Sequence, residues 1–147
     1  MTSQVITSLQ GDMVHALVTL DGVSATTAMN AWTDPELLKR WWAAGRLTID
    51  PRPGGVYQVY FGMGDQTMNG TIRHFDPSGT LVFDWAWAHE PDAAPTVVTV
   101  DITDTETGCV LRLTHGPYTE HDEPERGDML EGWAAFLKRL AALLTGA

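Results

Sequence analysis

Hydrophobic residues between Asp122 and Leu144 recur every three or four positions, a spacing that places them on one face of an α-helix. They are Met129, Leu130, Trp133, Phe136, Leu137, Leu140 and Leu144. Asp122 and Glu125 have the spacing of a capping box at its start. The pattern predicts a C-terminal helix about 30 Å long. Gly132 interrupts the apolar face; we expect it to allow close packing of a strand, with space for a ligand as the alternative.

Before this helix, apolar and polar residues alternate with the period of two that is typical of β-strands. The clearest run is Leu81, Phe83, Trp85 and Trp87. Similar runs, separated by turns rich in Gly, Pro and Asp, cover residues 14–20, 47–49, 56–61, 67–75, 98–103 and 111–115. In the run 67–75, we expect Met68, Ile72 and also His74 to lie on one side.

Two short helices are predicted after the first of these strands. Ser24 offers an N-cap for a helix that ends near Trp32, and Pro35 suits the first turn of a second helix that ends near Gly45. Residues 1–12 are polar without a clear period, so we expect a loose N-terminal lead-in.

These elements predict the fold class. One apolar face per strand indicates an antiparallel sheet that is covered on one side. The simplest arrangement is an α+β helix-grip fold, in which six to seven strands curve around the long C-terminal helix. A length of 147 residues fits one domain spanning 1–147. Because a curved sheet around one helix leaves space between them, we expect the functional site there.

Charge and composition narrow the partners. A formal charge of −10 argues against nucleic-acid binding, which needs clustered Lys and Arg. No apolar stretch approaches the roughly 18 residues of a membrane span, so no membrane insertion is expected. Cys109 is the one cysteine, and the N-terminus lacks the features of a signal peptide. We therefore expect a cytoplasmic protein.

Several strings, in this order, carry a family resemblance. They are Ala31-Trp32-Thr33-Asp34-Pro35-Glu36 before Trp41-Trp42, then Asp50-Pro51-Arg52-Pro53-Gly54-Gly55, Gly70, the strand 81–87, Leu113-Thr114-His115-Gly116 and Glu131-Gly132-Trp133. Over roughly residues 14–144 the chain resembles the heat-shock-protein-90 ATPase activator homologue-like family of the START-like (SRPBCC) superfamily. The resemblance implies the helix-grip fold of birch-pollen allergens, with a hydrophobic cavity under the last helix. It does not decide among the lipid carriers, receptors, cyclases and chaperone co-factors of that superfamily.

Candidate cavity residues are mostly aromatic or apolar, as in pockets for flat or apolar ligands. They are Trp41, Tyr57, Phe61, Met68, Phe83, Trp85, Trp87, His89, Leu113, His115, Met129, Trp133 and Phe136. The alternative is that these aromatic side chains form ordinary core. Trp41 and Trp42 point about 100° apart on a helix, so we expect at most one in the core and the other at the cavity mouth or on a partner surface.

Two histidines are the candidates for chemistry. His89 and His115 extend the inward faces of their strands, where an imidazole could bond a ligand or act as an acid or base. The alternative is an ordinary histidine at a strand end. No second, correctly spaced catalytic partner is present, so no catalytic residue is assigned. The histidines and carboxylates of residues 115–122 match no metal-ligand spacing, and neither a metal nor another cofactor is predicted.

Three functional hypotheses follow. The first is a binding protein for a hydrophobic small molecule, lipid or aromatic, in the cavity. The second is a cyclase- or hydrolase-type enzyme that uses His115 or His89 in the same cavity. The third is a protein-interaction or chaperone-associated module, including a homodimer formed through an exposed strand edge or through Trp41 or Trp42.

Overall fold

The computed structural model describes residues 4–42, 44–61, 66–118 and 123–146. The elements follow one another as β1 (Gln4–Gln10), β2 (Met13–Asp21), α1 (Ala25–Thr33), α2 (Pro35–Trp42), β3 (Arg46–Ile49), β4 (Val56–Tyr60), β5 (Thr67–Asp76), β6 (Thr80–Trp87), β7 (Thr96–Asp104), β8 (Gly108–Gly116) and α3 (Glu123–Thr145).

The strands form one antiparallel sheet in the order β1-β2-β8-β7-β6-β5-β4-β3. Helix α3 contacts β1, β2 and α2, so the long helix lies against the sheet with α2 beside it. This arrangement confirms the α+β helix-grip prediction. In the described part of the chain, none of the helices is long and apolar enough to cross a membrane.

The local signals in the sequence explain the two short helices. The Ser24 hydroxyl caps α1 by accepting from the Thr27 backbone N–H at 3.1 Å. The Asp34 carboxylate accepts from the Glu36 N–H at 3.0 Å, and Pro35 opens α2 where a missing N–H costs nothing. The capping box proposed for Asp122 and Glu125 lies outside the residues whose side chains are described.

The expected loose lead-in is wrong for Gln4–Gln10, which is a strand. It pairs with β2 along its whole length, from Gln4 opposite Thr19 to Gln10 opposite Met13, and makes the sheet eight-stranded rather than six- or seven-stranded. The Arg126 side chain of α3 donates a hydrogen bond to the Gly11 carbonyl oxygen at 2.5 Å. This bond connects the turn between β1 and β2 to the helix. Backbone pairing and this contact stabilise an edge strand whose side chains show no clear alternation.

The expectation for His74 is also wrong. The register between β5 and β6 shifts between Ile72 and His74, because a β-bulge adds a residue there. His74 is therefore exposed, and Phe75 turns partly toward the core instead.

Trp41 and Trp42 are both fully buried, so the prediction that at most one lies in the core is wrong. Trp41 packs toward α1 and donates its indole N–H to the Ala31 carbonyl oxygen at 3.0 Å. Trp42 points toward α3, where its ring centroid is 5.9 Å from that of Trp133. Because α2 has a neighbour on each side, two adjacent side chains about 100° apart can both be buried.

Candidate functional site

A cavity of about 550 Å³ opens between the sheet and the middle of α3. Its wall, called here the cavity wall, is apolar and mostly aromatic: Trp42, Phe61, Trp85, Trp87, Met129 and Phe136. These residues come from the end of α2, the residue after β4, the end of β6 and one face of α3. The volume lies in the range of pockets that enclose a drug-sized molecule.

Gly132 lines this cavity from the helix. A Cβ atom built on Gly132 would meet no described atom of another element within 4 Å. The expected close packing of a strand against Gly132 is therefore wrong, and the alternative, space beside the helix, is what the structure has. Its price is a helix weakened by roughly 1 kcal/mol relative to alanine at that position.

Three rings of the cavity wall lie nearly parallel. The planes of Phe61 and Phe136 differ by 7°, and that of Trp42 is within 19° of both. The three centroids are 5.8 to 6.3 Å apart. Offset stacking is a favourable geometry for aromatic rings, so a flat molecule that lies parallel to these three planes would have a favourable orientation against the wall.

The rim of the cavity is polar and charged, and its side chains are exposed: Gln66, His89, Glu90, Asp128 and Arg139. The His89 ring lies beside Trp87, with centroids 5.5 Å apart. The Arg139 guanidinium lies over the Phe136 ring at 5.9 Å. The site therefore combines an aromatic interior with a charged edge.

His115 lies in the core and does not border the cavity. Its Nδ1 accepts from the Trp133 indole N–H at 2.9 Å, and an indole nitrogen can only donate. The neutral ring thus carries its proton on Nε2, which lies 2.7 Å from the Thr96 hydroxyl and 3.2 Å from the Tyr118 hydroxyl.

Burial lowers the pKa of His115 to about 3. The ring is neutral at physiological pH, and both nitrogens have partners within the protein. This geometry suits a residue that fixes Trp133 and Tyr118 rather than a group that exchanges protons with a ligand.

Six of the thirteen predicted cavity residues line the cavity, and seven do not. The six are Phe61, Trp85, Trp87, His89, Met129 and Phe136. The seven buried residues that do not border it are Trp41, Tyr57, Met68, Phe83, Leu113, His115 and Trp133. Alternation along a strand identifies the inward face, but it does not tell how deep a side chain lies.

Four further residues that line the cavity were not predicted: Gln66, Glu90, Asp128 and Arg139. Trp42, for which the cavity mouth was one of the expected positions, lies in the cavity wall. A signal for part of this set was present in the helix. Asp128 and Arg139 stand four residues before and seven residues after Gly132, positions that share its face. The gap at Gly132 therefore marks the helical side of the cavity.

No group of three or more His, Cys, Asp or Glu side chains in the described part of the chain is arranged to hold a metal ion. Burial, and secondarily the charge of Asp104, raise the pKa of the Cys109 thiol to about 11. The thiol is therefore protonated and unreactive at neutral pH.

Comparison with known structures shows the same fold in several bacterial proteins. Protein MLL2253 from Mesorhizobium loti is 22% identical, with a TM-score of 0.80 over 90% of this chain and 96% of that one. A protein from Rhodobacter sphaeroides is 17% identical, with a TM-score of 0.81 over 99% of both chains. DynU16, from the dynemicin biosynthetic locus, is 24% identical, with a TM-score of 0.78 over 93% of this chain and 49% of its own.

No match was found among curated proteins. A family model, described as Activator of Hsp90 ATPase homolog 1-like protein, matches residues 23–145. This range runs from just before α1 to the end of α3 and includes all the described residues that line the cavity. The family resemblance noted in the sequence is thereby confirmed: the chain belongs to the Activator of Hsp90 ATPase homolog 1-like family.

Proposed function

We propose that this protein binds a flat, hydrophobic small molecule in the cavity between the sheet and α3. The observation that carries the proposal is the unfilled space beside Gly132, inside a wall of aromatic side chains. Protein interiors are normally packed as densely as organic crystals. A glycine that weakens a long helix while leaving space at its buried side is explained if the space is used.

The shape of the wall supports a flat ligand. Phe61, Phe136 and Trp42 present nearly parallel planes, and Trp87 stands at 84° to Trp85 at the end of β6. Such a wall offers a face for stacking and edges for T-shaped contacts. Of the two hydrophobic ligand types expected, lipid and aromatic, this geometry favours the aromatic one.

The histidines give less support to an acid–base enzyme. His115 is hydrogen-bonded within the protein to Trp133, Thr96 and Tyr118, and it does not border the cavity. His89 lies at the exposed rim beside Trp87. The cavity interior among the described residues therefore supplies aromatic surface rather than a proton donor, which favours binding over catalysis.

The hypothesis of a protein-interaction module named two possible contact surfaces, and one of them is not exposed. Trp41 and Trp42 are fully buried, so neither forms a partner surface. The edge strand β1 remains as a site for a homodimer, since Ile6 and Leu9 on it are exposed. A homodimer and a cytoplasmic location stay predictions.

The test is to fill the cavity from the helix. Gly132→Leu places a branched side chain in the space, whereas the matched control Gly132→Ala improves the helix and leaves most of the space open. Native mass spectrometry of gently purified protein, alone and with fatty acids and aromatic polyketides, reports bound molecules by mass. We expect bound ligand for the parent protein and Gly132→Ala and none for a folded Gly132→Leu. Binding by Gly132→Leu equal to the parent, or no binding by the parent to the whole panel, contradicts the proposal.

A further inference from the structure

We infer that the cavity selects flat aromatic ligands that carry a positive charge and discriminates against carboxylates of the same shape. The inference rests on the proposed function and adds the charge of the ligand to it. Three features of the described residues support it: the faces of the wall, the carboxylates on the rim, and the place of the guanidinium.

The first feature is the electrostatics of the wall. The faces of aromatic rings carry negative potential, and a cation within about 6 Å of a ring centroid is attracted to it. The cavity wall contains five aromatic rings, those of Trp42, Phe61, Trp85, Trp87 and Phe136. A ligand carboxylate placed against a ring face would lose hydration and meet the negative potential of that face.

The second feature is a pair of carboxylates on the rim. Glu90 follows Trp87 in a turn that is closed by a 3.0 Å hydrogen bond from the Glu90 N–H to the Trp87 carbonyl oxygen. Asp128 faces the cavity from α3. In the part of the chain that the structure describes, neither side chain forms a salt bridge, so both charges remain available to a cationic ligand.

The third feature is the position of Arg139, the positive charge on the same rim. Arg139 lies eleven residues after Asp128 on α3, so the Cα atoms of the two residues are about 16 Å apart along the helix axis. Its guanidinium is already placed over the Phe136 ring. Arg139 therefore leaves the Asp128 end of the rim negative. The net charge of −10 makes the wider field repel anions as well.

The test uses one flat framework in three charge states. Anthracenemethylamine is a cation at neutral pH, anthracenemethanol is neutral, and anthracenecarboxylate is an anion. Isothermal titration calorimetry at low and high salt gives the affinity of each for the full chain. We expect the amine to bind about tenfold more tightly than the alcohol and the carboxylate most weakly. The difference in affinity between the amine and the carboxylate should become smaller at high salt, because salt screens the charges of the exposed rim.

The variants locate the selectivity. The double substitution Glu90→Gln and Asp128→Asn keeps the size of both exposed side chains and removes both charges. It should bring the amine and carboxylate affinities to within about threefold of each other. The matched control is Glu131→Gln, which removes an exposed charge from the same helix outside the cavity lining and should leave the preference intact.

Each other outcome has a definite meaning. Equal affinity for the three compounds, or tightest binding of the carboxylate, overturns the charge selectivity and leaves the proposed function standing. Failure of all three compounds while a fatty acid binds overturns the charge selectivity and the preference for a flat ligand, and it leaves the binding of a hydrophobic molecule in the cavity standing. Failure of every compound and every lipid overturns both proposals. A preference that the double variant does not reduce overturns the assignment to Glu90 and Asp128.

Discussion

The aromatic side chains of this protein fall into two regions that differ in how they are held. In one region, called here the anchored core, hydrogen bonds to a neighbouring element hold the rings of Trp41, Tyr57 and Trp133 in addition to packing. The Tyr57 hydroxyl donates to the Trp32 carbonyl oxygen at 2.6 Å, and the Trp133 indole donates to His115 Nδ1 at 2.9 Å. In the cavity wall, Phe61, Phe136 and Met129 are held by packing alone, because their side chains have no N–H or O–H group that could donate a hydrogen bond.

The difference shows how a single aromatic cluster can serve stability and binding. Directional hydrogen bonds fix the anchored core in one arrangement, which stabilises the position of α3 on the sheet. Side chains without such bonds, next to empty space, can adjust to a ligand at low cost. Trp133 and Phe136 are three residues apart on α3, yet they belong to different regions, because one is buried and the other borders the cavity.

The largest expected contrast is between substitutions in the two regions. Trp133→Ala removes a fully buried ring and leaves the His115 nitrogen without its donor, so we expect a loss of about 3–5 kcal/mol. Phe136→Ala removes a ring that already borders solvent and should cost less than half as much. Urea denaturation of both variants measures the two losses, and equal losses would show that the division into two regions is wrong.

The pH dependence of stability should be set partly by the anchored core. Burial lowers the pKa of His115 to about 3, below its ordinary value of 6.5. As pH falls below about 6.5, the unfolded chain takes up a proton that the folded chain does not, so the unfolded state is favoured. The contribution of His115 is complete above that pH and falls by up to about 1.4 kcal/mol per pH unit toward pH 3.

A variant separates this effect from that of the carboxyl groups. His115→Gln keeps a side chain that hydrogen-bonds but does not titrate, so its unfolding free energy should fall less steeply between about pH 6 and about pH 4. The slope of the parent protein over the same pH range is the reference. If His115→Gln keeps that slope, His115 is not the neutral, buried group described here.

The smallest expected contrast is between alanine substitutions at two glycines, which should change the stability of the protein in opposite directions. A Cβ at Gly70, on β5, would overlap the carbonyl oxygens of Tyr57 and Asp84, so Gly70→Ala should destabilise the protein by about 1–3 kcal/mol. A Cβ at Gly132 meets nothing in another element, so Gly132→Ala should stabilise it by up to about 1 kcal/mol. Thermal unfolding measures both. Destabilisation by Gly132→Ala would mean that the space beside the helix is filled.

Much of the fold could be predicted from periodicity and capping signals. The alternation through Phe83 and Trp85, the cap at Ser24 and the helical repeat around Trp133 depend on local geometry, which a sequence states directly. Strand β1 could not be predicted in this way, because it is held by backbone pairing with β2 rather than by a hydrophobic face. The bulge at His74 is likewise a property of two paired strands.

The sequence predicted that the cavity would be lined mainly by aromatic and apolar residues, but it identified only some of the lining residues correctly. Tyr57, Phe83 and Leu113 are buried as expected, but they do not border the cavity. How deeply an inward side chain is buried depends on the distance of α2 and α3 from the sheet. That distance cannot be inferred from the sequence of a single strand. The glycine at position 132 was the better guide, since a residue without a side chain on the buried face of a helix marks the place where space is left.

The most direct test of the two regions uses the indole N–H resonances of the six tryptophans, assigned by single Trp→Phe variants. Anthracenemethanol, which is uncharged, is added while two-dimensional NMR spectra are recorded. Ring currents from a bound flat ligand should shift the signals of Trp42, Trp85 and Trp87 and leave those of Trp32 and Trp41 in place. Shifts spread equally over all six, or confined to Trp32 and Trp41, would show that the ligand does not occupy this cavity.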